Sequence, residues 1–475
     1  MARKISPARH RQRGAALLLI MLGVIAATAT VLLLNLSRDD LRTRQLKHTQ
    51  AMLAMAREAL IDYALLNPDY NPAAAYSLPC PDIDGSGGFA DGEAHTTACG
   101  AAGVSMIGRL PWRTLGLPAL KDASSACLWY VVSGSWKNAG TATAAMINVD
   151  SNGQLQLYDI ERAAISKGVA ADDRPVAMVI APMQALATQT RPGALPGVEC
   201  VPGANADNYL DADAGSGISN AILGGVVDGV DVLAVVAGTR DDHNDRIVSI
   251  SRSDIERRLV NRADFRDNMR NLGLAAAACI AHYGTNNPAG VDDKRLPWPA
   301  SLALTDYRLN SNYDDADIGF YSGRLPDIAD DSNLSTGNSI ARVLSDCDTS
   351  LVPQWTAIQM VRWQHWKDHF YYAVSEAFSP TATTPSNCGN CLTINGGGQY
   401  AAVLVFANSR LTGQVRDAPP TDTDTKRVPG NYLEGLNASN IPGPASARNF
   451  ESGASSAVFN DLLFCIDDQL VVSEC

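Results

Sequence analysis

A basic segment followed by a long uncharged segment constrains this chain most strongly. Residues 1–14 carry five lysine or arginine side chains and no acidic one, and Ala15 to Leu34 then form a run of 20 residues without a charge. As an α-helix this run would extend about 30 Å, the thickness of the hydrocarbon core of a bilayer. The sequence therefore predicts a transmembrane helix over residues 15–34, with the N-terminus in the cytoplasm and the rest of the chain outside.

A cleavable secretory signal is the competing interpretation of this segment. Such a signal has a shorter apolar core, which ends in small residues at an A-x-A cleavage site. Here the apolar run is longer and continues into Asn35, Leu36 and Ser37 without such a site. We therefore expect residues 15–34 to remain as an anchor.

The residues that follow show a helical periodicity. Leu46, Leu53 and Leu60 are seven residues apart, and no proline occurs between Ala15 and Pro68. Apolar residues at this spacing form one stripe along a helix. The sequence predicts that residues 35–66 continue the helix in amphipathic form and pack their leucine stripe against a globular domain.

This arrangement resembles the type IV pilin and type II secretion pseudopilin superfamily. Its members have a short basic leader that ends in glycine, an apolar helical stretch, and an amphipathic helix packed on a β-sheet head. The resemblance covers residues 1–66. It implies that residues 1–14 are a leader peptide, that a prepilin peptidase cuts after Gly14, and that Ala15 becomes the N-methylated first residue.

Two positions depart from the pattern of that superfamily. The first mature residue is usually Phe or Met, and here it is Ala15. The fifth is usually Glu, which neutralises the terminal amine of a neighbouring subunit, and here it is Leu19. A major fibre subunit needs that carboxylate, because an unpaired ammonium group in hydrocarbon costs several kcal/mol. Leu19 therefore argues against a major pilin and fits the minor, K-type pseudopilin, which also lacks this Glu.

The chain outside this helix repeats itself. Seven pairs of short landmarks occur in the same order in both halves, among them Gly-Arg-Leu-Pro at 108–111 and 323–326, Asn-Tyr-Leu at 208–210 and 431–433, and Asn-Asp at 244–245 and 460–461. We therefore interpret residues 51–258 and 259–475 as two pilin-like heads. Each would have a helix followed by a mostly antiparallel sheet, which makes the predicted fold class α+β.

Short runs of β-branched and aromatic residues predict the strands of these heads. The predicted strands are Leu128–Ser133, Val176–Ile180, Val230–Ala237, Arg246–Ile250, Phe370–Val374, Tyr400–Phe406 and Leu462–Ile466. The helix of the second head is predicted to begin near Ser253-Asp254, a favourable N-cap, and to continue through Ile280.

Charge and cysteine content limit the partners and the compartment. With 50 acidic against 38 basic residues, the net charge of −12 argues against a nucleic-acid partner, since phosphate binding needs a positive surface. The even count of ten cysteines indicates disulfides in a chain outside the cytoplasm. The pairs that we predict are Cys80–Cys99 and Cys465–Cys475, whereas the Cys388-x-x-Cys391 motif is either a structural disulfide or half of a zinc site.

A calcium-loop pattern is the most specific chemical motif. Residues 82–93 match D-x-D-x-S-G-x5-E. Calcium ligands would come from Asp82, Asp84, Ser86, the Gly88 carbonyl and Glu93. The alternative is a solvated acidic turn, because Asp and Gly are common turn residues. Asp211-Ala212-Asp213 is a weaker candidate without a later Glu.

No motif points to catalysis. His365 and His369 are four residues apart, as in some zinc sites, but the Glu that a metalloprotease helix requires after the first His is missing. We expect an amphipathic packing segment there and no enzyme.

The predicted function is therefore that of a minor pilin- or pseudopilin-like subunit, structural or priming, of a type IV pilus or type II secretion pseudopilus. It would sit in the bacterial inner membrane as a single-pass protein with periplasmic heads, at a fibre tip or the cell surface. Its partners would be the membrane, prepilin peptidase, and other subunits through the N-terminal helix. A surface-displayed adhesin-like protein and a bitopic envelope protein outside any fibre are the alternatives.

Overall fold

The computed structural model describes residues 13–70, 76–83, 90–95, 103–137, 146–192, 197–201, 205–221, 232–286, 294–304, 308–315, 319–330, 340–345, 347, 349–383, 385, 388–416 and 425–475. The α-helices in this part of the chain are α1 (Arg13–Tyr70), α2 (Arg252–Val260), α3 (Phe265–Asn286), α4 (Ala357–Trp366) and α5 (Gly435–Ser439). The strands are β1 (Met106–Arg109), β2 (Trp129–Val132), β3 (Leu155–Asp159), β4 (Ala164–Lys167), β5 (Pro175–Ala181), β6 (Ala212–Asp213), β7 (Ile218–Ser219), β8 (Leu233–Ala237), β9 (Arg246–Ser251), β10 (Ser322–Arg324), β11 (Ile328–Asp330), β12 (Ile340–Arg342), β13 (Phe370–Val374), β14 (Leu392–Ile394), β15 (Gly397–Phe406), β16 (Asn449–Phe450), β17 (Leu462–Asp467) and β18 (Val472–Glu474).

The first head is a helix packed on a four-stranded antiparallel sheet. The strand order is β1-β2-β5-β9, and β2 and β5 are buried along their whole length. Both faces of these strands are covered, which explains why their sequences are apolar throughout. Leu53, Ala56 and Leu60 of α1 pack on one face, and the small sheet β4-β3-β8 lies against the other.

The second head has the same arrangement. Strands β10, β13, β15 and β17 are neighbours in that order, each antiparallel to the next, and α3 packs against β15, β17 and β18. Gly273 lets α3 approach the sheet closely, because a Cβ atom there would overlap the ring of Phe464. Strands β14, β16 and β18 extend this sheet beyond the four strands that the first head also has.

Individual hydrogen bonds also recur between the two heads. Tyr130 Oη donates to the Pro79 carbonyl at 3.2 Å, and Tyr372 Oη donates to the Pro297 carbonyl at 3.2 Å. Arg109 exchanges two backbone hydrogen bonds with Asp82, as Arg324 does with Ala300. The repeated landmarks in the sequence thus correspond to repeated contacts.

One hydrophobic core extends through both heads. It includes the buried side chains of α1, α2, α3 and α4 together with both main sheets. Tyr76 packs edge to face on Trp366 at 6.2 Å between ring centroids, and Phe265 packs on the same indole at 5.6 Å. The ion pair between Arg57 and Asp254, at 2.8 Å, also joins α1 to α2.

The predicted fold class is wrong in its membrane-spanning element. In the part of the chain that is described, no helix has a stretch that is both long and apolar enough to cross a bilayer. Helix α1 does extend from Arg13 to Tyr70, close to the predicted helix over 15–66. However, residues 40–48 are exposed and are charged or polar apart from Leu41 and Leu46. Within the residues that the structure describes, the fold combines helices with mostly antiparallel sheets.

The strand predictions are confirmed, whereas the second helix differs from its prediction. All seven predicted strands overlap observed ones: β2, β5, β8, β9, β13, β15 and β17. The predicted helix from Ser253 to Ile280 is divided into α2 and α3. Ser251 caps α2 in a capping box with Asp254, and the helix ends at Val260 with Asn261 as its C-cap. The turn that follows is held by Arg262, which pairs with Asp264 at 2.7 Å.

Four disulfides are formed within the described residues. They join Cys127 to Cys200, Cys279 to Cys347, Cys388 to Cys391, and Cys465 to Cys475. The last two are pairs that the sequence analysis named, and the Cys388-x-x-Cys391 motif is a disulfide here. Cys80 is also disulfide-bonded, while Cys99, its predicted partner, lies outside the described residues.

Candidate functional site

A buried acidic cluster in the first head brings together Asp211, His243 and Asp245. Asp211 follows the landmark Asn208–Leu210, and the other two residues directly precede β9. Asp211 is 2% exposed, and His243 and Asp245 are fully buried. One side-chain nitrogen or oxygen atom from each residue lies within 4.8 Å of the others. The three side chains therefore form a compact group that can hold a metal ion.

Hydrogen bonds fix the two carboxylates in this acidic cluster. Asp211 Oδ1 accepts from Gln189 Nε2 at 2.8 Å, and Asp211 Oδ2 accepts from the backbone N–H groups of Asn244 and Asp245 at 2.6 and 3.0 Å. Asp245 Oδ2 accepts from the Asp211 N–H and from Asn220 Nδ2, each at 2.9 Å. These bonds use three of the four carboxylate oxygens and join the loop at 211 to the start of β9.

The remaining polar atoms of this acidic cluster are unusual. Asp245 Oδ1 and both ring nitrogens of His243 are buried, and within the described part of the molecule they have no hydrogen-bond partner. Burial and the nearby negative charge of Asp211 raise the pKa of Asp245 to about 8, although hydrogen bonds to its carboxylate and the charge of Arg191 act in the opposite direction. The carboxyl groups are therefore costly to ionise together without a positive charge between them.

The second head contains a similar frame with two differences, of which the first is Glu434 in place of Asp211. Gln414 Nε2 donates to Glu434 Oε1 at 2.8 Å, and Asp461 Oδ2 accepts from the Glu434 N–H at 3.1 Å and from Asn437 Nδ2 at 2.9 Å. Burial and the charge of Glu434 raise the pKa of Asp461 well above its ordinary value. At the position of His243, however, this head has Phe459. The acid–amide frame is common to both heads, and the imidazole belongs to the first alone.

A second buried polar cluster joins the heads to each other. The carboxylate of Asp150, before β3, lies 2.9 Å from Arg410 Nη2, 3.0 Å from His369 Nε2 and 3.5 Å from Arg416 Nη1. His365 Nδ1 accepts from the Ile147 N–H at 3.0 Å, and burial lowers its pKa to about 4. The two histidines on this segment thus contact the first head, and in this arrangement they serve packing and ion pairing.

The structure describes only two of the predicted calcium ligands. Asp82 is buried, and its Oδ2 accepts from the Gly92 N–H at 2.8 Å. Glu93 Oε2 accepts from the Ala90 N–H at 3.0 Å. Asp84, Ser86 and Gly88 lie outside the described residues. Calcium binding by this loop stays a prediction, while Asp82 and Glu93 have structural hydrogen bonds of their own.

We expect Asp84→Asn to remove a calcium-dependent gain in stability, because it takes one charge from the predicted ligand set. Calcium at 100 times its dissociation constant would add about 2.7 kcal/mol to the wild type. Thermal unfolding in CaCl2 and in EGTA measures this gain. Glu93→Ala removes another predicted ligand and should also lose this gain, but it should lower stability in EGTA as well, because it removes the bond to Ala90. An equal effect of Asp84→Asn in both solutions would contradict calcium binding.

The predicted processing residues, Gly14 and Ala15, lie at the N-terminal end of α1. They are far along the chain from both polar clusters and share no element with the other predicted sites. Asp82 and Glu93, the two predicted calcium ligands that the structure describes, lie outside α1.

Sequence reasoning missed His243 and Asp245 as site residues. Asp211 entered it only as part of a weak calcium pattern. A signal was available, because two of the landmark pairs, Asn-Tyr-Leu and Asn-Asp, adjoin these positions in both heads. A second signal was that the first copy has His243 where the second copy has Phe459.

Comparisons of this chain with protein-family models, with curated proteins and with solved structures find no significant match.

Proposed function

We propose that this chain is a minor pilin- or pseudopilin-like subunit, structural or priming, of a type IV pilus or type II secretion pseudopilus. The observation that carries the proposal is the N-terminal part of α1, here called the arm (residues 13–48). All described side chains of the arm are exposed, from Met21 to His48. At 1.5 Å per residue, that stretch extends about 40 Å beyond the residues of α1 that pack on the first head.

The arm carries apolar side chains that need a partner. Met21, Leu22, Val24 and Ile25 are between 57% and 64% exposed. Contiguous exposed apolar surface of this kind marks an interaction site. Apolar helices of other subunits are the proposed partners, and association with the inner membrane through the same side chains belongs to this proposal.

The shape of the rest of the chain supports a role at one end of an assembly. The two heads share one core and are attached to a single arm. Each copy of the chain therefore adds a large volume beside its own arm. Such volumes would collide if every subunit of a helical fibre carried them. We infer one or a few copies, located at a tip.

The disulfides support a location outside the cytoplasm. Four are formed in the described part of the chain, and Cys80 takes part in another. Disulfides persist in oxidising compartments such as the bacterial periplasm. The heads are therefore proposed to be periplasmic.

The mass of the mature N-terminus tests the proposal. In cells that contain a prepilin peptidase, we expect the chain to begin at Ala15 and to carry one N-methyl group, measured by mass spectrometry of the N-terminal peptide. Gly14→Glu should leave the full-length chain, since the peptidase of the resembling family cuts after glycine. A wild-type chain that keeps Met1, or that begins beyond Leu34, would contradict a pilin-like role.

A further inference from the structure

The buried acidic cluster of the first head contains polar atoms that the protein itself does not satisfy. Both ring nitrogens of His243 and Asp245 Oδ1 are buried without a hydrogen-bond partner in the part of the chain that is described. A buried polar group without a partner costs about 1–3 kcal/mol. Here the unsatisfied atoms belong to residues whose ligand atoms lie within 4.8 Å of one another. Their arrangement suits a ligand that accepts one lone pair from each of the three residues.

We propose that Asp211, His243 and Asp245 bind a divalent transition-metal ion, for which Zn²⁺ is the best fit. Zinc accepts imidazole nitrogen and carboxylate oxygen together and commonly uses three protein ligands with an open fourth position. Calcium and magnesium prefer sets made of oxygen alone, so the imidazole disfavours them.

The second head shows the same kind of frame without a histidine. Its acid–amide frame has the same hydrogen bonds around Glu434, Asn437 and Asp461, but Phe459 replaces the histidine and supplies no ligand. The frame therefore forms without an imidazole. His243 is therefore not needed to form the frame, and its imidazole has another role.

A cavity adjoins the acidic cluster at Asp245. Asp245 is among the residues that line a cavity of about 280 Å³ between α1 and the strands β8 and β9, together with Thr49, Gln50 and Gly238. A water molecule needs about 30 Å³ of liquid volume. The cavity therefore has room for water molecules next to Asp245.

Zinc binding by the full-length chain tests this inference. The protein, purified in detergent without a histidine tag and treated with EDTA, is dialysed against ZnCl2, and the bound metal is measured by elemental analysis. We expect one zinc ion that is lost in His243→Phe, which copies the second head. The affinity should fall by more than about 100-fold, because loss of a supporting group alone costs about 10–100-fold.

Two further variants make the result decisive. Asp245→Asn should also lose this zinc ion, and it decides the question if His243→Phe does not fold, as judged by circular dichroism in EDTA. Asp461→Asn, the matched change in the second head, should bind zinc as the wild type does. Unchanged zinc content in a folded His243→Phe or Asp245→Asn, or no zinc in the wild type, would overturn the proposal. The outcome is independent of the pilin-like function, since the N-terminal mass is measured separately.

Discussion

Replacing Asp150 by asparagine is expected to lower the free energy of unfolding by about 3–5 kcal/mol. This carboxylate is 1% exposed and lies between Arg410, Arg416 and His369 of the second head. Removing one partner of a buried ion pair leaves the other charges buried without compensation, which costs about that much. Urea denaturation, followed by circular dichroism, measures the difference between the variant and the wild type.

A surface ion pair provides the control for this experiment. Arg240 Nε lies 2.8 Å from Asp242 Oδ1, and the Asp242 side chain is 61% exposed. Exposed ion pairs contribute little to the free energy of unfolding, because water screens their charges. Asp242→Asn removes the same charge from the same chain and should leave the unfolding curve almost unchanged. If Asp150→Asn changes it as little, the buried cluster does not hold the heads together.

The effect of Asp150→Asn should also depend on pH. Burial alone would raise the pKa of Asp150, but Arg416, His369 and Lys426 hold it well below its ordinary value of 3.8. Since the folded pKa is lower than the unfolded one, the stabilisation is complete above the unfolded pKa and is lost as the pH falls through the folded pKa. The difference between wild type and variant should therefore be constant from about pH 5 to 8 and should decrease below about pH 4. A difference that grows in acid would contradict this origin.

The sequence predicted those elements whose signal is local. Strands such as β5 and β15 are runs of β-branched and small apolar residues, which are typical of a sheet covered on both faces. The edge strands β1 and β10 escaped prediction, because they are short and contain Gly108 and Gly323. Those glycines are explained only by the fold, since a Cβ atom there would meet the backbone carbonyls of Asp82 and Ala300.

The acidic cluster could not be predicted from spacing alone. Asp211 and Asp245 are 34 residues apart, and a hydrogen bond from the Asp211 N–H to Asp245 Oδ2 joins them only after β8 and β9 have been placed. The membrane-spanning prediction failed for the opposite reason. It rested on one local run of uncharged residues, whereas no described helix is both long and apolar enough to cross a bilayer.

Removing the disulfide between Cys279 and Cys347 is expected to destabilise the chain by about 4 kcal/mol. This bond ties α3 to a segment 68 residues further along the chain. In the chain-entropy description, a cross-link stabilises the folded state by restricting the unfolded chain, and the gain increases with the logarithm of the loop length. The double variant Cys279→Ala with Cys347→Ala keeps small apolar side chains at these buried positions. Thermal and urea unfolding of the periplasmically expressed protein measure the loss.

The Cys388–Cys391 disulfide is the matched control, because its partners are only 3 residues apart. The same loop argument gives about 2 kcal/mol for the corresponding double alanine variant. The ratio of the two losses in unfolding free energy is therefore more informative than either loss alone. If the long and the short disulfide contribute equally, loop closure is not the source of their stabilisation. If the long disulfide contributes more, it stabilises the fold by restricting the unfolded chain. This stabilisation adds to that of the apolar contacts which Met269, Leu272 and Ile280 of α3 make in the folded state.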